Sequence, residues 1–182
     1  MRRRHPLPTC WLMTDPRFGD DLLDAIRRLP FGSGVIFRHY ELDNEQRHRL
    51  YRKVAQACRR RGHILLLGDA ERNALCWRAN GFHQRSARRS KLIHSVAVHN
   101  SQELKQSLRL GVDMVLVSPI FATNSHKGQR PLGRLAFNRL AVQAHGAKVI
   151  ALGGVTRQKA YSLNPRLIHG WAAIDAFRKN PD

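Results

Sequence analysis

The stretch at residues 111–133, GVDMVLVSPIFATNSHKGQRPLG, decides how the rest of the sequence is interpreted. It begins with an apolar strand at residues 114–117, which Ser118-Pro119 ends. A long loop rich in hydrogen-bond donors follows, and Gly128 and Gly133 allow its backbone to bend tightly. A buried strand that leads into such a loop is a usual way for an α/β enzyme to present groups to an anion. A solvated surface loop is the alternative that this stretch alone leaves open.

Short apolar segments like this one recur along the chain and alternate with segments of helical spacing. We predict strands at residues 10–14, 34–37, 63–67, 81–83, 92–98, 114–117, 148–152 and 167–168. We predict helices at residues 20–29, 44–61 (with Asn44 as the N-cap), 70–79, 101–110, 135–145, 156–163 and 172–178. Strands that are apolar on both faces and are joined by helices are typical of a parallel sheet.

Two architectures fit this alternation, a doubly wound sheet and a closed eightfold barrel. The number of units favours a single-domain (βα)8 TIM barrel, although 182 residues is below the usual barrel length of about 200 or more. We therefore expect a compact barrel with one irregular unit, at the weak strand 81–83 and the basic loop 84–91 that follows it. One domain is expected over residues 1–182, with residues 1–9 as a basic lead-in.

The charge of the chain indicates an acidic partner. There are 32 Lys and Arg against 13 Asp and Glu, a formal net charge of +19. Phosphorylated small molecules are the favoured partners, because the cations are spread over nearly every segment and do not alternate with aromatic residues as in many RNA-binding proteins. Nucleic-acid binding stays open as an alternative.

Other classes of protein are not indicated. No apolar run approaches the roughly 20 residues that span a bilayer, and the first residues do not resemble a signal peptide, so we expect no membrane association and a cytoplasmic location. The three cysteines, Cys10, Cys58 and Cys76, have no metal-ligand spacing and are predicted to be free thiols.

In either architecture the ligand site lies at the carboxyl ends of the strands. Gly153-Gly154 follows a strand and precedes a helix start at Thr156, so backbone N–H groups and the helix dipole can bind an oxyanion there. Arg38, at another strand end, suits a phosphate group. Asp69 is the carboxylate best placed for Mg²⁺, with a capping role for the helix from Ala70 as the alternative.

Histidines follow several of the predicted strands. His83, His99 and His126 have the chemistry for acid–base work, and the alternative for each is a structural loop or core histidine. The sequence contains no Walker loop, Rossmann glycine signature or serine–histidine–acid spacing.

Five segments together resemble the thiamine phosphate synthase superfamily, which includes the thiazole tautomerases. They are WLMTD at 11–15, VIFR at 35–38, SVAVHN at 95–100, GVDMVLVSPIFAT at 111–123 with PLG at 131–133, and VIALGGV at 149–155. The resemblance implies a (βα)8 transferase of thiamine biosynthesis. Such an enzyme joins hydroxymethylpyrimidine diphosphate to a thiazole phosphate and releases diphosphate with Mg²⁺.

The resemblance also implies roles for individual residues of this chain. The expected catalytic residues are Arg38, His126 and Lys127. Phosphate or substrate binding is expected of Arg38, His99, Thr123, Ser125, Gly153 and Gly154. Asp69 is the expected metal ligand.

Several family positions are occupied by other residue types in this sequence. Tyr40 stands where the family has a lysine, no acid is present at residues 84–91 where a second Mg²⁺ carboxylate is expected, and Asp175 replaces a phosphate-loop serine. One hypothesis is that Arg85, Arg88 and Arg89 neutralise phosphate without metal. A barrel that binds a thiamine-pathway phosphate without catalysis is the main alternative function, and a homodimer stays open.

Overall fold

Eight parallel strands form a closed barrel in which each strand pairs with its neighbours in the chain, and β1 pairs with β8 to complete the ring. This computed structural model describes residues 6–123 and 130–179. The strands are β1 Cys10–Met13, β2 Gly34–Phe37, β3 Ile64–Leu67, β4 Gly81–His83, β5 Ile93–Val98, β6 Met114–Val117, β7 Lys148–Ala151 and β8 Gly170–Ala173. The predicted (βα)8 barrel is confirmed, and a doubly wound sheet is excluded by the pairing of β1 with β8.

Helices connect most of the strands on the outside of the barrel. They are α1 Leu22–Arg28, α2 Asn44–Arg60, α3 Glu71–Cys76, α4 Ser101–Arg109, α5 Gly133–Gln143 and α6 Arg157–Tyr161, with 3-10 helices at Pro16–Asp21 and Asp175–Phe177. Residues 84–92, all of which are described, form no helix between β4 and β5. The expected irregular unit is therefore found at this connection. Within the described ranges, no helix combines the length and the apolar character that crossing a membrane requires.

The core is built on the apolar strands, which are buried almost throughout. Trp11 on β1 is fully buried, and its indole Nε1 donates a hydrogen bond to the Pro8 carbonyl at 2.7 Å. Gly34 on β2 makes room for this ring, because a Cβ on that glycine would lie 2.1 Å from it. Phe37 and Phe82 pack in the same half of the core, while Phe137 of α5 belongs to the half around β5, β6 and β7.

Two details of the predicted elements are wrong, the N-cap of α2 and the position of the last strand. Asp43, not Asn44, is the N-cap of α2, since its carboxylate accepts a hydrogen bond from the Gln46 N–H at 2.8 Å. The last strand lies at Gly170–Ala173 and not at residues 167–168, so the predicted helix at 172–178 shrinks to a single 3-10 turn. The Trp171 N–H donates to the Thr9 carbonyl at 2.8 Å, and this pairing with the start of the chain outweighs the helix propensity of the alanines that follow.

Candidate active site

A cleft of about 520 Å³ opens at the carboxyl ends of the barrel strands, and we call it the mouth cleft. The last residues of β1 and β4 and the loops after β2, β5, β6, β7 and β8 all contribute to it. Its polar lining residues include Arg38, Tyr40, His83, His99, Ser118, Thr123, Gly153, Gly154, Thr156, Lys159 and Asp175. Residues from distant parts of the chain meet here because the closed ring of parallel strands brings every carboxyl end to one face.

The side of the mouth cleft after β7 is lined by backbone. Gly153 and Gly154 have φ of 89° and 61°, the left-handed region that favours glycine. A Cβ on Gly154 would lie 2.1 Å from the Ala122 carbonyl oxygen, and one on Gly153 would lie 2.6 Å from Pro119. Among the described residues, the N–H groups of Gly153, Gly154 and Val155 have no hydrogen-bond acceptor. The arrangement suits an anion, which can accept from these N–H groups at the start of α6.

Lys159 adds a positive charge to this side. Its Nζ donates to the Gly154 carbonyl at 3.1 Å and lies 5.1 Å from the centroid of the Phe121 ring. The lysine is on the first turn of α6, where Thr156 is the N-cap and accepts from the Lys159 N–H at 3.2 Å. The helix start therefore positions an ammonium group beside the glycine pair.

Arg38, after β2, is held by the end of β1. Its Nε donates to the Thr14 carbonyl at 3.0 Å, and its Nη2 lies 2.9 Å from Asp15 Oδ2. Asp15 also pairs with Arg17, which reaches Asp175 at 2.8 Å. Burial alone would raise the pKa of Asp15, but the hydrogen bonds from Arg17 and the charge of Arg38 outweigh it and hold that pKa below its usual value. The carboxylate thus stays ionised and fixes the Arg38 guanidinium.

Two histidines of the mouth cleft have their Nδ1 atoms occupied by protein groups. His83 Nδ1 lies 2.9 Å from the hydroxyl of Ser95, which is 3.3 Å from the Phe82 carbonyl. Burial, reinforced by the charge of Arg38, lowers the pKa of His83 to about 4, so the imidazole is neutral at pH 7. His99 Nδ1 donates to the Ser118 carbonyl at 2.7 Å. Both rings therefore keep Nε2 for another partner.

Most of the residues that the sequence suggested for ligand binding line this one cleft. Arg38, His99, Thr123, Gly153 and Gly154 all do so. Ser125, His126 and Lys127 lie outside the described residues. Lys159 was missed by sequence reasoning, although its position one helical turn after a Gly-Gly pair was an available signal.

Comparison with known proteins agrees with this architecture. A family model described as thiamine monophosphate synthase matches residues 11–177. The chain belongs to this family. A thiamine-phosphate synthase of Chlorobium luteolum is 32% identical over 171 residues, which cover 86% of this chain and 80% of that protein. A thiamine-phosphate synthase of Geobacillus thermodenitrificans is 24% identical over 174 residues, covering 87% and 79%.

A solved structure shows the same fold. The thiamine phosphate pyrophosphorylase of Pyrococcus furiosus superposes with a TM-score of 0.77 at 19% identity, covering 92% of this chain and 86% of its own. The sequence match thus shows the family, and the structural likeness shows the same (βα)8 fold.

Asp69, the expected metal ligand, lies outside the mouth cleft. Its Oδ2 accepts from Arg47 Nη1 at 2.6 Å, and its Oδ1 accepts from the Ala70 N–H at 2.7 Å and from Asn73 Nδ2 at 3.0 Å. Arg47 is buried and also donates to the carbonyls of Arg38 and Gly68. Burial alone would raise the pKa of Asp69, but these hydrogen bonds outweigh it and lower that pKa.

The described residues do not fit a magnesium site of the kind expected for this family. Over residues 6–123 and 130–179, no three His, Cys, Asp or Glu residues are grouped as metal ligands. The only acid in the described lining of the mouth cleft is Asp175, and Arg17 occupies its carboxylate. The guanidinium of Arg47 therefore lies beside Asp69, at the position where a magnesium ion was expected.

The three arginines proposed to replace the missing acid do not line the mouth cleft. Arg85, Arg88 and Arg89 are all exposed. Arg85 pairs with Glu103 at 2.9 Å, and Arg89 lies against Gly111 at the end of α4. Arg85 is thus held by the first turn of α4, and none of the three side chains is among the residues that line the mouth cleft.

Proposed function

We propose that this chain is a thiamine-phosphate synthase-type transferase that joins hydroxymethylpyrimidine diphosphate to a thiazole phosphate and releases diphosphate. Membership of the family and the likeness to named thiamine-phosphate synthases support this. The observation that carries the proposal is the pairing, in one cleft, of three N–H groups without acceptors in the described chain and a fixed arginine. Such a cleft suits the binding of two phosphorylated substrates within one domain. We propose that the reaction takes place in the cytoplasm.

In the proposed reaction a bond forms between the pyrimidine and thiazole substrates. The bond from the pyrimidine's exocyclic carbon to the diphosphate oxygen breaks, and the diphosphate leaves with the electron pair. Charge therefore grows on the leaving group, and preorganised positive groups lower the barrier by stabilising it. Arg38 is assigned to the diphosphate, while Gly153, Gly154 and Lys159 are assigned to the phosphate of the thiazole.

One histidine of the mouth cleft, the neutral His83, suits the binding of a heterocycle. With Nδ1 donating to Ser95, His83 offers Nε2 as an acceptor, and a donor on a substrate ring can use it. We assign His83 and His99 to substrate binding, because each ring lines the cleft and has its Nδ1 held by a protein group, which leaves Nε2 for a substrate.

Magnesium is the part of the family chemistry that the described residues support least. When bound, Mg²⁺ carries the charge of a departing diphosphate. Asp69 is engaged by Arg47 and lies away from the mouth cleft, so no step of the proposed reaction is routed through a metal at that residue. Arg38 and Lys159 are the described cations of the cleft that take part instead.

The test is direct synthesis. The purified chain is incubated with both substrates, over a series from EDTA to millimolar Mg²⁺, and thiamine phosphate is quantified by chromatography. Arg38→Ala is expected to reduce product formation at least a hundredfold, since a positioned guanidinium contributes several kcal/mol to such steps. Arg139→Ala, an exposed arginine on α5, is the matched control and is expected to keep full activity.

A second outcome would favour the alternative function. If no product forms at any Mg²⁺ concentration, yet thiazole phosphate raises the melting temperature and Lys159→Ala abolishes the rise, the barrel binds the ligand without catalysis. Absence of both product and ligand-dependent stabilisation would contradict both functions.

A further inference from the structure

The outer surface formed by α2 and α3 carries a second cleft, of about 520 Å³, which we call the α2–α3 face. Its cationic lining residues are Arg49, Arg52, Lys53, Arg59 and Arg78, all of them exposed. Among the described residues, no acid lines it, and none of its lining residues also lines the mouth cleft. Any ligand of this face would therefore bind independently of the proposed transferase site.

Most of the positive charges on this face have no carboxylate partner. Around α1, by contrast, Arg27 pairs with Asp24 at 2.7 Å and Arg28 pairs with Asp21 at 2.9 Å. On the α2–α3 face, Arg49 pairs with Glu45, and both side chains are well exposed. Arg52, Lys53, Arg59 and Arg78 have no ion pair within the described part of the chain. Their charges are uncompensated locally, so this surface attracts polyanions.

The positions of these cations follow the axis of α2. Arg49 and Lys53 are one turn apart, at about 6 Å, and Arg52 and Arg59 are two turns apart, at about 10 Å. A row of cations with such intervals can follow a phosphodiester chain. Four of the five lining cations are arginines, whose forked N–H groups match phosphate oxygens.

An aromatic side chain stands at the edge of the same cleft. Trp77 is partly exposed, and its ring lies 4.9 Å from that of His48 and 5.0 Å from that of Tyr51. The next residue, Arg78, has a backbone φ of 56°, in the left-handed region that residues other than glycine rarely adopt. An indole supported by two other rings, next to a row of arginines, is the combination on which bases stack while phosphates are neutralised.

We propose that the α2–α3 face binds single-stranded nucleic acid. The arginine row takes the phosphodiester backbone, and Trp77 takes a base. An anionic membrane is the other polyanion to consider, but membrane-surface helices insert large apolar side chains. Helix α2, whose residues are all described, exposes no such side chain, and the exposed Leu75 of α3 is not among the residues that line the cleft. Duplexes lack unstacked bases, so they cannot use the indole in this way.

The first experiment measures fluorescence anisotropy of labelled twelve-nucleotide oligo(U) and oligo(dT) against the full chain at several KCl concentrations. With about four phosphate contacts, log K is expected to fall with log[KCl] with a slope of about −3. The triple variant Arg52→Gln, Lys53→Gln, Arg59→Gln is expected to bind at least tenfold more weakly at 0.1 M KCl, with a slope about two units shallower.

The matched control removes three exposed cations elsewhere, by Lys105→Gln, Arg109→Gln and Arg139→Gln on α4 and α5. It is expected to change the affinity less than threefold. Trp77→Leu is expected to weaken binding about fivefold without changing the salt slope, because stacking is not ionic. Melting curves of all variants, compared with the unaltered chain, establish that each one is folded.

Three outcomes would overturn the proposal. One is equal loss of affinity in the triple variant and its control, which would show a diffuse charge effect. Another is binding to vesicles containing phosphatidylserine but to neither oligonucleotide. The third is equal affinity for a duplex of the same length together with no effect of Trp77→Leu. These binding measurements do not use the synthesis assay. The nucleic-acid proposal and the transferase proposal can therefore fail separately.

Discussion

The two sides of the barrel mouth are built in opposite ways. After β1, β2 and β3, ion pairs fix the loops, since Asp15 after β1 binds Arg38 after β2, and Asp69 after β3 binds Arg47 of α2. After β7, glycine backbone forms the surface, and its N–H groups have no acceptor within the described chain. One side is thus fixed by charges that already have partners, and the other offers donors that do not.

This difference indicates on which side a bound anion would form the most new hydrogen bonds. A phosphate that binds near Gly153 and Gly154 satisfies N–H groups that otherwise depend on water. A phosphate near Arg38 must share a guanidinium that Asp15 already holds. We infer that the β7 side supplies most of the affinity for phosphate and that the β2 side supplies orientation. Four measurements, given in decreasing order of expected effect, test this contrast.

The largest effect is expected at the glycine side. Gly154→Ala places a Cβ 2.1 Å from the Ala122 carbonyl, at a φ of 61°. Overpacking and the left-handed backbone together are expected to lower the free energy of unfolding by about 4 kcal/mol. Urea denaturation measures it. Gly146→Ala, at a φ of 85° with no atom near the new Cβ, isolates the backbone contribution of about 1 kcal/mol. Equal losses in the two variants would contradict the steric argument.

On the ion-paired side, Arg47→Met is expected to lower the free energy of unfolding by about 3 kcal/mol. It leaves Asp69 without its counter-charge and the carbonyls of Arg38 and Gly68 without donors. Arg49→Met, an exposed arginine two residues away, is the control and should change stability by less than about 0.5 kcal/mol. If 10 mM Mg²⁺ restored the stability of Arg47→Met, Asp69 would be a metal ligand after all.

A pH effect of about 2 kcal/mol is expected from His83, which lies between the two sides. Its pKa is about 4 in the folded chain and about 6.5 when unfolded, so the unfolded state binds more protons between these values. The contribution is complete above pH 6.5 and declines as the pH falls towards 4. From pH 8 to pH 5, the loss of stability should be smaller in His83→Gln than in the unaltered chain. The exposed His48→Gln should show the full loss, and identical curves for all three would refute the assignment.

The smallest effect is expected at Asp175, which places a carboxylate in the lining of the anion site. Asp175→Ser removes that negative charge from the cleft, so affinity for inorganic phosphate should rise about fivefold, equivalent to about 1 kcal/mol. Isothermal titration calorimetry measures it. Asp24→Ser, on α1 and away from the cleft, should leave the affinity unchanged. A weaker binding of phosphate by Asp175→Ser would show that the ion pair with Arg17 organises the site.

The barrel was largely predictable because its strands are continuous apolar segments. The exception is β8, where Leu167 and Ile168 form the more apolar pair but Gly170 and Trp171 form the strand. A Cβ on Gly170 would lie 2.1 Å from the Thr9 carbonyl oxygen, so close approach to the N-terminal segment selects the glycine. Such a long-range contact leaves no periodic signal in the local sequence.

The candidate site was predictable in position but not in its pairing of charges. Arg38, His99 and Gly153-Gly154 could be placed because they follow strands, and strand ends meet at one face. The partner of Asp69 could not, because Arg47 lies 22 residues away on α2 and reads as one of many helix arginines. The pairing of a given arginine with a given carboxylate depends on how α2 packs on the barrel, and the amino-acid composition does not determine that packing.

The missing helix between β4 and β5 has a consequence for hydrogen exchange. Strand β4 has three residues, and the Phe82 ring stacks on His94 of β5 at 4.2 Å. Its pairing with β3 covers only two residues of each strand, so its amides are expected to exchange with solvent by local opening before those of β2 or β6. His83 is carried on that strand. Ligand binding at the mouth would therefore register as slower deuterium uptake at residues 81–83, because His83 lines the cleft.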